Sequence, residues 1–382
     1  MSIKKSLAIG LIGIGMLSSG KAGVVVVHAD RPTQTQQAQA TAPQPTNPQL
    51  TVPQQVAKFK QLLQQNNWVG TALMVRHGQV VYYQASGYAN VAKKIKNTTR
   101  TQYLINSTQK SMTAAIVMKV IANGQLNMTD RLSQWYPKVP NAKNITIRQM
   151  LDMTTGLEGP TATTKKALPA AKEATYLSQH LIFNAAKSGK WDYQSINYNL
   201  LCGIIQKKTG HDYQWWYEHE FVKPLALRQT SFSYQQSLTK SPRLAVGYAG
   251  NPKTNAIEYR RTKATDFTAG KQTRELGSGN LYMSPLDLFR AEAAICTGRI
   301  VSTADVNQLR TPGSTSSYGG GVYNRPTGYT IANGIGYGFS DMFVISNDGQ
   351  NGLVLLSNLW RPKGQDQMFF YHLSQMEAFH QW

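Results

Sequence analysis

A chain of 382 residues with 41% apolar content can bury a large core, and beyond about 250–300 residues such cores tend to divide, so a two-lobed unit or two domains are expected. The net charge of +21, from 40 Lys and Arg against 19 Asp and Glu, points to an anionic partner such as a nucleic acid, an anionic lipid or an anionic wall polymer. No zinc-finger spacing or RNP-like stretch accompanies that charge, so nucleic acid drops out as the expected partner, and two cysteines are too few to make a disulfide framework.

In chain order, Lys4-Lys5 precede an apolar run over residues 7–17, followed by Lys21, a second apolar patch over 24–27 and Val27-His28-Ala29. This reads as a secretory signal cut after Ala29. The rival is an uncleaved anchor interrupted by Lys21. Both place the remainder outside the membrane. Residues 30–53 are Gln, Thr, Pro and Ala with few large apolar side chains. Such a segment cannot bury enough surface to order itself and reads as a linker, which leaves a folded domain over residues 54–382.

That domain opens with Val56, Phe59, Leu62 and Leu63 at amphipathic-helix spacing. Residues 70–75 and 80–83 read as two strands joined through Arg76-His77-Gly78-Gln79, a hairpin. A short strand over 103–105 then leads into INSTQKSMTAAIVMKVIANG, residues 105–124. Asn106 and Ser107 are good helix N-cap types. Small and apolar residues follow at helical spacing, and Asn123-Gly124 supplies a left-handed stop. Ser107 and Lys110 stand three residues apart on this helix, which puts the amine beside the hydroxyl. Serine is a weak nucleophile until a neighbouring base takes its proton. Lysine is such a base only when burial or a nearby cation lowers its pKa. Ser2–Lys5, Ser18–Lys21 and Ser237–Lys240 repeat the spacing, but only Ser107 opens a long helix of small and apolar residues.

Residues 139–156 read as helical, and residues 167–221 as mostly helices. Cys202 and Cys296 each sit in an apolar, helix-like run and read as buried thiols. His211 and His219 read as the surface of a helix rather than a metal site, and Lys208-Thr209-Gly210 as an ordinary helix end. A helix over 285–297 precedes strands over 319–323, 342–345 and 353–356, and a last helix is expected over 366–379. Strands at both ends with helices between them predict one sheet built from both termini, with a helical lobe inserted and the Ser107 helix starting at the seam. No G-x-S-x-G, H-E-x-x-H or P-loop is present.

Several phrases together carry a resemblance: INSTQKSMTAAIVMKVIANGQLNMTDRLSQWYP, NITIRQMLDMTTGL, NYNLLCGIIQKKTG followed by KPLALRQTSF, GSGNLYMSPLDLFR, and GYGFSDMFVISND with GLVLLSN. The chain resembles the serine β-lactamase and penicillin-binding-protein superfamily, in its class C and D,D-peptidase-like branch, over residues 54–382. The resemblance implies an antiparallel sheet with an inserted helical lobe, no cofactor and no metal. It makes Ser107 the acylated nucleophile, Lys110 its base, and Tyr193 the proton shuttle. The family's Tyr-x-Asn becomes Tyr193-Gln194-Ser195, so Ser195 replaces the Asn. Aligning the family's Gly-Phe pair with Gly338-Phe339 places the third motif, normally Lys or His-x-Gly, at Ala332-Asn333-Gly334. The cation that would hold a substrate carboxylate is therefore missing. The oxyanion hole is expected from the backbone N–H groups of Ser107 and Ile335.

An extracytoplasmic serine hydrolase working through an acyl-Ser107 intermediate is expected. The chain is also similar to D-alanyl esterases of this fold that act on lipoteichoic acid. Such an ester has no free carboxylate, carries an ammonium and sits on a polyphosphate. Glu275 is a candidate partner for that ammonium. The alternatives are a D,D-carboxypeptidase acting on peptidoglycan stems and a non-catalytic protein that binds wall polymer. The expected partner is an anionic wall polymer, teichoic or lipoteichoic acid, or else peptidoglycan, with a membrane surface nearby.

Overall fold

Residues Gly70–Arg76 read GTALMVR with no polar alternation, and each of them is buried. A strand of that kind has to be covered on both faces, and the architecture supplies both covers. The computed structural model describes residues 50–162, 164, 166–235, 243–251, 257–361 and 365–378, all within one compact unit, Pro48–Trp382. The expected leader and nearly all of the expected linker lie outside the described residues. The linker ends earlier than its composition indicates. Helix α1 spans Val52–Gln65, started by a capping box between Thr51 and Gln54.

Strands β1 (Gly70–Arg76) and β2 (Gln79–Ser86) form the expected hairpin. Strand β3 (Tyr103–Leu104) leads through a 3-10 turn, Asn106–Thr108, into α2 (Gln109–Ala122). Next come α3 (Ile196–Thr209), β4 (Thr230–Phe232), α4 (Ala269–Arg274), β5 (Leu281–Met283), α5 (Pro285–Cys296) and α6 (Thr303–Arg310). The chain closes with β6 (Tyr318–Gly319), β7 (Val322–Arg325), β8 (Tyr329–Gly336), β9 (Phe339–Ser346), β10 (Gly352–Ser357) and α7 (Gln365–Ala378).

The main sheet has seven antiparallel strands in the order β6-β7-β8-β9-β10-β1-β2, with Thr71 opposite Leu356 where the two chain ends meet. Helices α1 and α7 cover one face through Phe59, Leu63, Phe369, Phe370, Leu373 and Met376. The inserted helices cover the other. Helix α2 packs against α3, α5 and α6 and is buried nearly all round, which is why its apolar residues fall on every side rather than along one stripe.

Three expectations need correction, and one helix is additional to them. The strand at 103–105 joins a separate three-stranded sheet, order β3-β5-β4, not the main one. Residues 139–156 are mostly turns, with one short helix, Ile147–Leu151. The single strand expected over 319–323 is broken by Gly320-Gly321, both at positive φ. Helix α6 has no counterpart among the expected elements. Its pattern is short and polar, and it is recognisable mainly by the Ser302 cap, whose hydroxyl accepts from the Asp305 N–H.

Candidate active site

The site is built on the turn between β3 and α2. Asn106 and Ser107 do not cap the helix as their types led us to expect. They form the 3-10 turn, and α2 begins only at Gln109. Asn106 adopts a left-handed backbone with φ of 44°, which Asn tolerates better than most residues. Its side chain is held from both sides: Nδ2 donates to Asp341 Oδ2 at 3.0 Å and to the Leu104 carbonyl at 3.3 Å. This turn leaves Ser107 half-buried between two buried neighbours, so its hydroxyl stays reachable.

Lys110 is completely buried. Its Nζ lies 2.8 Å from Ser107 Oγ and 3.0 Å from the Ser278 carbonyl. Desolvation pulls its pKa down to about 8, against an opposing pull from the charges of Glu275 and Asp341. A neutral amine there keeps one N–H for the Ser278 carbonyl and turns its lone pair to the Ser107 proton. Tyr193 joins the group from the loop before α3, its phenol close enough to the Ser107 hydroxyl to be influenced by it. Burial pushes its phenol well above the ordinary range, with Ser107 opposing, so it stays protonated at neutral pH. Trp191 and Tyr318 pack edge-on to its ring at 6.3 and 5.8 Å, and the Lys110 amine lies 5.1 Å from the ring centroid. The three groups read from the sequence therefore come together around the Lys110 amine.

Strand β8 forms the adjoining wall. It is joined to β9 by Tyr337-Gly338, both at positive φ, a type I′ hairpin turn. Gly336 and Phe339 then close the ladder as the hydrogen-bonded pair. By alternation, Asn333 and Ile335 direct their N–H groups away from β9. Strand β7 pairs with β8 only as far as Ile331, so those N–H groups leave a free edge beside the Ser107 turn. That orientation fits the expected oxyanion donor at Ile335. Ala332, the position where the resemblance expects a cation, is buried in the core on the helical side. At Gly334, an added Cβ would stand 2.4 Å from Asp341 Oδ1 and 2.8 Å from Asn106 Cβ. Only glycine fits against the nucleophile turn. Ser195 stands just before α3, its carbonyl accepting the Tyr198 and Asn199 N–H groups.

Three participants were not read from the sequence. The Ser278 carbonyl anchors Lys110, and a backbone acceptor has no side-chain signature. The Asn106 side chain, of a type that suits a cap, instead reaches Asp341. Asp341 lies under the turn, fully buried, with Oδ1 unpaired among the described residues. Burial pushes its carboxyl well above the usual range, opposed by bonds from Asn106 and Thr108 and by the Lys110 charge. A lone acid in the apolar run FSDMFVIS was its available signal. Lys208-Thr209-Gly210 ends α3, with Gly210 in the left-handed capping conformation, and His211 and His219 both stack on Trp215. Cys202 and Cys296 are free and buried.

With that geometry in place, comparison with known proteins identifies the relatives. The chain is 29% identical over 306 residues to PbpX of Bacillus subtilis (strain 168), a presumed penicillin-binding protein, covering 79% of this chain and 73% of that one. It is 26% identical over 321 residues to a teichoic acid D-alanine hydrolase of Staphylococcus aureus, covering 83% and 76%. Among solved structures, FmtA from Staphylococcus aureus superposes with a TM-score of 0.71 at 25% identity, over 85% of this chain and 86% of that one. The family model described as Beta-lactamase matches residues 56–375, and the chain belongs to that family as a serine hydrolase of the β-lactamase and penicillin-binding-protein superfamily.

Proposed function

We propose that this protein is an extracytoplasmic esterase that removes D-alanine from teichoic or lipoteichoic acid. The carrying observation is the wall of the site at β8. The buried methyl of Ala332 stands where a carboxylate-binding cation is expected, beside a Ser107–Lys110–Tyr193 group that is otherwise complete. A D-alanyl ester presents no carboxylate to hold. The net charge of +21 suits a polyphosphate carrier, and a teichoic acid D-alanine hydrolase is among the relatives. The apolar N-terminal run after Lys4-Lys5 supports export.

In the reaction, Lys110 takes the Ser107 proton as Oγ attacks the ester carbonyl. The N–H groups of Ser107 and Ile335 receive the oxyanion. The C–O bond to the polymer breaks, and Tyr193 passes a proton to the leaving alkoxide. A water then gives its proton to the same base pair and attacks the acyl carbon, releasing D-alanine and restoring the Ser107 hydroxyl. A D,D-carboxypeptidase would use the same steps but would need to grip a stem-peptide carboxylate without a cation at Ala332. A purely binding role leaves the burial of Lys110 against Ser107 without a purpose. The test supplies purified protein with D-alanylated lipoteichoic acid and, separately, a stem pentapeptide, and measures free D-alanine. Release from the polymer, lost in Ser107→Ala, is expected. Release from the peptide alone overturns the esterase reading.

A further inference from the structure

Glu275 lies at the end of α4, just before the turn whose Ser278 carbonyl anchors Lys110. Among the described residues its carboxylate has two partners, both hydroxyls. Tyr337 donates to Oε1 at 2.8 Å and Ser278 Oγ donates to Oε2 at 3.0 Å. Among the described residues, no Lys, Arg or His nitrogen lies within 4.0 Å of it. Yet its charge is the largest upward influence on Lys110, and it also bears on Tyr193. It is half-buried, in a chain with 40 basic and 19 acidic residues. An ionised carboxylate offers about four lone-pair sites, and these bonds occupy two. A half-buried carboxylate with spare acceptors and no cation in contact is poised to take one from a ligand.

Ser278 fixes where that cation would sit. One residue holds the base through its carbonyl and the carboxylate through its hydroxyl. In an aminoacyl ester the ammonium nitrogen is only about 2.5 Å from the carbonyl carbon, so its receptor has to stand near the reacting groups, and Glu275 is tied to the base Lys110 through the single residue Ser278. The Tyr337 ring packs at a tilt against Phe267, with centroids 4.3 Å apart, and lies 5.4 Å from Lys271 Nζ. Lys271 and Arg274 on α4 thus offer positive charge just outside the carboxylate, where phosphates flanking the ester would lie.

We infer that Glu275 is a specificity-determining residue that receives the α-ammonium of an aminoacyl ester while Ser107 takes its acyl carbon. The inference rests on the ester-hydrolase reading above. It is tested with two glycerol esters of equal size, D-alanyl and D-lactyl, the second carrying a hydroxyl in place of the ammonium. The native protein is expected to prefer the D-alanyl ester in kcat/KM. Glu275→Gln, which keeps the size and can still bond both hydroxyls, is expected to lose tenfold or more on the D-alanyl ester and to stay within about twofold on the D-lactyl ester. Glu275→Asp is expected to recover part of the preference. The rising limb of the pH profile is expected to move to lower pH in Glu275→Gln on both esters, because the largest upward influence on Lys110 is gone. A parallel fall on both esters assigns Glu275 a structural role and overturns the inference. So does a native protein without preference, which leaves the esterase reading intact. A native protein that cleaves neither ester but trims stem pentapeptide overturns both.

Discussion

Arg76 and Lys110 are both buried cations, and their surroundings treat them in opposite ways. Arg76, at the end of β1, meets the Glu377 carboxylate of α7 in a two-point contact, at 3.0 Å from Nη1 and 2.8 Å from Nη2, and its Nε donates to Gln55 of α1 at 2.6 Å. Each charge there is answered, and the pair ties the hairpin to the helical layer formed by both chain ends. Among the described residues, the hydrogen-bond partners of Lys110 are a hydroxyl and a carbonyl. The nearby acids Glu275 and Asp341 act on it through space without touching it, and its pKa falls to about 8. A buried cation with a carboxylate in contact holds structure. One whose acids are kept at a distance can exist as a free amine, and therefore as a base.

The comparison can be broken or sharpened at graded cost. Ser107→Ala removes the acyl acceptor and is expected to lower turnover on the order of 10⁴-fold or more with the fold intact, read by hydrolysis rate and circular dichroism. Lys110→Arg keeps the charge but cannot give up its proton. Its expected loss is on the order of 10³-fold, with no recovery at higher pH. Gly334→Ala forces a methyl to 2.4 Å from Asp341 Oδ1 and 2.8 Å from Asn106 Cβ, which shifts the nucleophile turn. Turnover is expected to fall about 100-fold. In the native protein, the base works only when neutral, so kcat/KM should rise about tenfold per pH unit below the Lys110 pKa of about 8 and level off above it. Glu377→Gln has the smallest effect on turnover. It removes the carboxylate charge that faces buried Arg76 and is expected to lower stability by about 3 kcal/mol, measured by denaturant unfolding, with the pH–rate profile unchanged.

The nucleophile and base were legible because a helix places residues three apart side by side, whatever packs around it. Tyr193 was legible only through a family motif, since nothing in WDYQS distinguishes a shuttle from a packed aromatic. The anchoring pair Gly338-Phe339 located Ala332 and Gly334, yet β8 itself was not read as a strand. Its buried residues mix Tyr, Thr, Ile, Ala and Gly on both faces, and no period-2 pattern survives. Asn106 went wrong for a related reason. An Asn before a helix usually caps it, and here the side chain is claimed by Asp341, 235 residues away in sequence. Contacts of that range, like the Ser278 carbonyl on Lys110, are set by the fold and leave no local trace.

The central claim is that Lys110, held neutral by burial, makes Ser107 able to form a covalent acyl-enzyme. Intact-mass measurement of labelling by a fluorophosphonate across pH 6 to 10 tests it most directly. The account predicts one label per chain, mapped to Ser107 and absent from Ser107→Ala, with a labelling rate that climbs through about pH 8. Labelling that persists in Ser107→Ala, or a rate indifferent to pH across that range, contradicts it.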